Sequence, residues 1–384
     1  MCAINGGNSI EWNKGMSKLV LIRDPQFQHH LTPELHPESP KRVAAIDQAF
    51  EQGALRDDVS QLTPRSATEA DICLVHEESY VETLHDRSEK IEPGGSIQVD
   101  PDTYMSAESF DTAKLAVGAG LVAIDALQND SFSNAFVSIR PPGHHALADK
   151  SMGFCLFNNI AIAARYAQKK LESKRVLIID WDVHHGNGTQ DIFYDDPSVC
   201  FISLHQYPFW PPNSGWYADD GAGAGKGFNV NIPLPSGTGD RGYLHAWDQI
   251  VKPISLQYQP DLILLSAGYD AHSMDPLGQQ RISTSGYAML AQRLMDLSWQ
   301  TNTKVAAFLE GGYNLQSLAD SALATMRVFN ADGAEESADV HVSYLIPGSA
   351  EGSDPITQDE KPEQVNERVL KVRKHFSSYW QSLK

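Results

Sequence analysis

Two short islands of this 384-residue chain combine carboxylates with histidine in the way a bound metal ion needs. The first is VLIIDWDVHHGNGT, residues 176–189, where Asp182 and His184 follow an apolar run. Two residues apart in extended chain, their side chains leave on the same side and can meet one ion. The second is LILLSAGYDAH, residues 262–272, which delivers Asp270 just past another apolar run. Asp182, His184 and Asp270 make a three-ligand set with room for water and substrate, the open arrangement that catalytic zinc requires. A lone Asp-x-His pair is commonly incidental. Two such clusters, each at a strand end and each followed by glycine or alanine, point to a site.

A third island, RPPGHHA at 140–146, places His144 and His145 side by side on a loop stiffened by proline and glycine. Adjacent imidazoles suit proton transfer, because they titrate near neutrality. The motif alone leaves a satisfied turn or a second metal site equally open. A fourth segment, LEGGYN at 309–314, puts Tyr313 after two glycines. Such a turn lets a tyrosine hydroxyl reach towards a substrate, or simply carries a capped aromatic.

These groups need elements to position them. Strand-length apolar runs recur at Leu19–Ile22, Ala135–Ile139, Val176–Ile179, Val199–Leu204, Leu262–Leu265 and Val305–Leu309. Between them, helical spacing predicts helices over Ser106–Leu127, Asn158–Leu171, Tyr243–Gln257, Ser285–Trp299 and Leu315–Phe329. Buried strands alternating with helices mean an α/β fold, a mostly parallel sheet covered on both faces. In such sheets ligands bind beyond the carboxyl ends of the strands, where the islands fall. There is no internal repeat of fixed period, and one domain over 18–384 is the expected partition, after a flexible leader at 1–17. Residues 333–362 read as a long loop and 363–383 as a terminal helix. Val365, Val369, Val372, Phe376, Tyr379, Trp380 and Leu383 share one face of that helix, docked on the domain itself or forming a homo-oligomer contact.

Charge narrows the partners. A net charge of −19 would repel a nucleic-acid backbone and favours cationic partners such as lysine-rich segments or polyamines. Four cysteines, Cys2, Cys73, Cys155 and Cys200, lack Cys-x-x-Cys spacing and read as reduced thiols of a cytoplasmic protein. No apolar run reaches the ~18 residues of a membrane span. The first 17 residues carry no secretory pattern, and Met16 is a candidate alternative start.

RPPGHHA, GFCLFNN (153–159), DWDVHHGNGT, SAGYDAH (266–272), DPLG (275–278) and LEGGYN, in this order after HPESPKR (36–42), together resemble the zinc-dependent histone deacetylases. The variant is similar to the class II branch, with bacterial deacetylase-like amidohydrolases and, at its border, acetylpolyamine amidohydrolases. The resemblance implies an arginase-like three-layer αβα sandwich with an eight-stranded sheet. It implies a zinc-dependent amidohydrolase acting on acyl-lysine side chains or related acylated amines, with an acetylpolyamine amidohydrolase or an inactive acyl-lysine reader as alternatives. Asp182, His184 and Asp270 would hold one zinc ion. Asp180 would sit behind His144, and Asn187, where class I members carry aspartate, behind His145. A carboxylate partner favours imidazolium and an amide does not, so His144 is expected to be the cation and His145 the neutral base. Tyr313 would donate to the developing oxyanion.

The resemblance also carries an apolar tunnel for the acylated stem, with Phe154 and Trp210 as wall aromatics. Trp210 stands where phenylalanine is usual. The Gly153 carbonyl would accept the substrate amide. Leu277 fills a rim position where a polyamine-selective relative carries glutamate, which favours acyl-lysine. Asp100 and Asp102 are candidate rim acids for gripping a peptide backbone or a distal ammonium, with the choice between them open. Potassium is expected at Asp180, Asp182, His184, Ser203 and Leu204. A two-manganese ureohydrolase needs further carboxylates where Gly186 and His272 stand, so one metal is the expected count.

Overall fold

The computed structural model describes residues 18–128, 132–171, 173–331 and 356–384. Its strands are β1 (Leu19–Ile22), β2 (Ser60–Leu62), β3 (Ser96–Asp100), β4 (Thr103–Ser106), β5 (Asn134–Val137), β6 (Val176–Asp180), β7 (Val199–Gln206), β8 (Asn229–Leu234), β9 (Leu262–Ala267) and β10 (Lys304–Leu309). Eight form one sheet in the order β2-β1-β5-β10-β9-β6-β7-β8, and β3 and β4 form a separate hairpin. Every pairing in the large sheet is parallel. Parallel strands need crossovers, and the helices that supply them cover both faces of the sheet. The result is the three-layer α/β sandwich that the alternation of runs predicts. Strands β1, β5, β6, β7, β8 and β9 are buried along their whole length.

The helix Ser109–Gln128 packs on Asn159–Leu171, while Leu315–Asn330 packs on both Lys41–Gln52 and Thr284–Thr301. Local chemistry sets the ends of these helices. The Ser283 hydroxyl accepts from the Gly286 amide, and Asn302 closes the helix Thr284–Thr301 in a left-handed conformation at φ 52°. The Asn314 side chain accepts from the Ser317 amide, which starts Leu315–Asn330 directly after Tyr313.

Several elements depart from the sequence reading, among them β2 and the β3–β4 hairpin, which it did not include. Strand β8 carries Asn229 and Asn231, which break an apolar pattern; both are buried because their amides donate to Gln190 Oε1 at 2.8 Å. The stretch read as one helix over 243–257 is two, Asp240–Ala246 and Lys252–Tyr258, joined by a wider turn at Trp247–Val251. The terminal helix runs Pro362–Phe376 and not to 383, with Pro362 at its first turn. Val365, Val369, Val372 and Phe376 are buried, and a short 3₁₀ turn at Gln381–Leu383 brings in Leu383. Tyr379 leaves the face, 36% exposed, with its hydroxyl donating to Asp220 Oδ2 at 2.9 Å. The leader 1–17, Cys2 and most of the 333–362 loop lie outside the described residues. Cys73, Cys155 and Cys200 are free thiols. Among the described residues no helix is long and apolar enough to cross a membrane.

Candidate active site

Strands β5, β10, β9 and β6 are consecutive in the sheet and parallel, so their carboxyl ends emerge along one edge. The four islands leave from those ends and converge. Asp182 and His184 meet by a bend rather than by strand alternation, since β6 ends at Asp180 and the Asp182 carboxylate turns back to accept the His184 amide at 2.9 Å.

Each carboxylate of the pair is oriented by the backbone. Asp182 Oδ2 accepts from the Gly311 amide at 2.8 Å, and Asp270 Oδ1 from the Val183 amide at 2.8 Å. Their other oxygens, Asp182 Oδ1 and Asp270 Oδ2, lie 3.2 and 3.1 Å from His184 Nδ1. One ligand atom from each of the three residues lies within 4.8 Å of the other two. A Cβ at position 311 would stand 2.1 Å from Asp270 Oδ2, so only glycine leaves this cradle open. Burial alone would lower the His184 pKa, but the two carboxylates outweigh it and raise it to about 10. Burial, reinforced by Asp182, raises Asp270 to about 7. Two carboxylates with one imidazole are a donor set that fits zinc with positions to spare. Among the described residues this is the one group able to hold a metal, and His272 instead faces Thr284 Oγ1 at 3.3 Å.

The histidine pair is asymmetric. His144 Nδ1 lies 2.9 Å from Asp180 Oδ2, and its ring centre 3.9 Å from that of His145. Burial lowers the His144 pKa, but Asp180, Asp182 and Glu310 more than offset this and leave it raised to about 10. His145 Nδ1 lies 2.8 Å from Asn187 Oδ1. Burial and the neighbouring His144 and His184 charges hold it well below the usual imidazole range. A neutral ring donating Nδ1–H to an amide oxygen keeps its Nε2 lone pair.

Tyr313 lies against Phe154, ring centres 5.9 Å apart, with the Arg42 guanidinium 5.0 Å from its ring. Burial holds its phenol well above the ordinary value, so the hydroxyl remains a donor at neutral pH. Gly153 and Phe154 both have left-handed backbone, at φ 58° and 68°. Their amides donate to Asp102 Oδ1 at 3.1 Å and Thr103 Oγ1 at 3.0 Å. Trp210 stands perpendicular to His145 at 4.6 Å and lies 5.9 Å from His184, with Phe209 stacked on His184 at 5.3 Å. Asp102 thereby holds the Gly153 turn, while burial raises the pKa of Asp100 beside it. Asp180 is in register with Ser203, next to Leu204 in β7.

Three groups here escaped the reading of the sequence. Glu310 Oε2 accepts the amides of Gly143 and His144 at 2.7 and 3.2 Å. Asp275 accepts those of Tyr313, Asn314 and Leu277. Glu38 bridges two buried arginines, Arg42 Nη1 at 3.1 Å and Arg140 Nη2 at 2.7 Å. All sit inside the motifs quoted above, but a carboxylate aimed at backbone amides, or at an arginine as distant as Arg140, leaves no residue pattern to find.

The Histone deacetylase domain profile matches residues 36–329. The chain belongs to the histone deacetylase family. Its members are deacetylase hydrolases. Histone deacetylase 10, chloroplastic, from Oryza sativa subsp. japonica is 38% identical over 352 residues, 85% of this chain and 79% of the relative. A probable deacetylase from Archaeoglobus fulgidus is 38% identical over 300 residues, 77% of this chain and 81% of its own. The crystal structure of the HDA15 HD domain superposes with a TM-score of 0.82 at 32% identity, covering 96% of this deacetylase and 97% of that chain.

Proposed function

We propose that this deacetylase is a single-zinc amidohydrolase acting on acyl-lysine side chains. The observation that carries the reading is the convergence of Asp182 Oδ1, Asp270 Oδ2 and His184 Nδ1 beside a histidine pair with unlike partners. Asp182, His184 and Asp270 would hold the zinc, which when bound supplies a Lewis acid for the acyl carbonyl and acidifies water. His145, kept neutral by burial and its cationic neighbours and oriented by Asn187, takes the proton from the attacking water at Nε2 and later delivers one to the leaving amine. His144, kept cationic by Asp180, stabilises negative charge without trading its own proton. The Tyr313 hydroxyl donates to the carbonyl oxygen as charge develops on it. Phe154, Trp210 and Leu277 line the path of the acylated stem, and the Gly153 carbonyl accepts the substrate amide. A potassium ion held by Asp180, Asp182, His184, Ser203 and Leu204 would support this arrangement, and activity should then differ between potassium-free and potassium-rich buffers.

The test is a substrate panel with elemental analysis. Zinc at one equivalent per chain and turnover of acetyl-lysine peptide, with acetylpolyamines left intact, are expected. Preferred hydrolysis of acetylpolyamines would give the site to that neighbouring activity, and two tightly bound manganese ions would defeat the single-metal reading. Tyr313→Phe should slow turnover of acetyl-lysine peptide by about 10²–10³, the usual loss for one oxyanion donor, with zinc content unchanged. Trifluoroacetyl-lysine, whose carbonyl is already activated, should lose less.

A further inference from the structure

Asp275 is a buried carboxylate that the mechanism above does not use. One oxygen, Oδ2, accepts from the Tyr313 amide at 2.6 Å and the Asn314 amide at 3.1 Å. The other, Oδ1, accepts from the Leu277 amide at 2.9 Å. It is 7% exposed, and its own amide is fixed on the His272 carbonyl at 2.9 Å. From the opposite side, Arg42 donates through Nε to the Gly312 carbonyl at 2.6 Å and through Nη2 to the Glu310 carbonyl. The Tyr313 turn is therefore gripped by a carboxylate on its amides and a guanidinium on its carbonyls. The turn follows two glycines, whose backbone freedom would otherwise let the ring wander.

We infer that Asp275 is the positioning residue for Tyr313: it fixes where the hydroxyl stands and ties that place to the tunnel rim at Leu277. This deepens the proposed function and rests on Tyr313 being the electrophile. A carboxylate is required because all three partners are donors. In Asp275→Asn the amide nitrogen must face an N–H on one side, whichever way it is turned. Ground-state binding need not change, since Tyr313 acts on charge that appears only in the transition state.

The experiment is a double-mutant cycle on the zinc-loaded enzyme with acetyl-lysine peptide. Asp275→Asn should lower kcat on the order of 10–100-fold, as small misplacements of a catalytic group do, with KM, zinc content and Tm unchanged. In the Tyr313→Phe background the same substitution should cost nothing further. Asp275→Glu, which keeps the charge but moves it by a methylene, should repeat the pattern and serves if the amide variant does not fold. Losses that multiply across the cycle, or a loss that follows zinc content or Tm, would overturn the inference. So would full activity of Asp275→Asn while Tyr313→Phe is impaired, which leaves the electrophile intact. Full activity of Tyr313→Phe would overturn both readings together.

Discussion

Two networks of buried charge lie close together in this deacetylase and differ in how they are balanced. Around Glu38 the charges close on themselves. Its carboxylate is held well below the usual range because Arg140 and Arg42, with His30, outweigh the effect of burial. Three further guanidinium N–H groups donate to the carbonyls of Phe27, Glu310 and Gly312. Around Asp182 the charges do not close. Asp180, Asp182, Asp270 and Glu310 are all fully buried, and His144 and His184 are the imidazoles held cationic against them. Glu310 is pushed up to about 7, first by burial. A closed network joins loops, in this case the 140–146 loop to the Tyr313 turn. An open one with surplus carboxylate stores affinity for a cation, and the site chemistry is found there.

The contrast is broken most severely at the open network. Asp182→Ala should abolish zinc binding and reduce deacetylation to background, and the variant's Tm should no longer respond to a chelator. Retained zinc at one equivalent would mean the cation lies elsewhere. Next comes the closed network: Glu38→Ala leaves two buried guanidiniums without their carboxylate and should destabilise the fold by about 3–5 kcal/mol in denaturant titration. Zinc content of the folded fraction should stay at one equivalent; loss of zinc in proportion to loss of fold would merge the two networks into one.

The smallest effect sharpens the comparison from a third buried site. His76 Nε2 accepts from the Asn158 amide at 2.9 Å, just before the helix Asn159–Leu171. Burial lowers its pKa to about 4. The unfolded chain therefore takes up this proton first as pH falls. The stability contributed is whole above about pH 6.5 and lost progressively towards pH 4, at up to about 1.4 kcal/mol per pH unit. His76→Gln should flatten that part of the stability profile relative to the parent, and equal slopes in the two proteins would remove His76 as the cause.

Most of the sheet and the Asp182, His184 and Asp270 cluster were legible in the sequence because both obey local rules. Apolar strand-length runs mark buried parallel strands, and the clustered residues follow them directly. Asn229 and Asn231 hid β8, since their burial depends on Gln190, far away in sequence. The same limit hid Glu310, Asp275 and Glu38. Their distant partners, the amides of Gly143, His144, Tyr313 and Asn314 and the Arg140 guanidinium, are brought close only by the fold, so the motifs that contain them are visible while their tasks are not. The end of the terminal helix at Phe376 was missed for a related reason: Trp380 continues the apolar face, but its indole donates to the Gly227 carbonyl at 2.9 Å from outside the helix.

The left-handed turn at Gly153 and Phe154 decides where this enzyme's selectivity is free to evolve. A single methyl added at Gly153 would lie 2.4 Å from His145 and 2.6 Å from Trp210. Any residue larger than glycine at this position must displace the proposed base and Trp210 together. Phe154 is bound by its own left-handed backbone and by the Thr103 hydroxyl. On the proposed function, mutational paths to new acyl groups cannot run through position 153, and a change at Trp210, whose ring centre lies 4.6 Å from that of His145, bears on the proposed base as well.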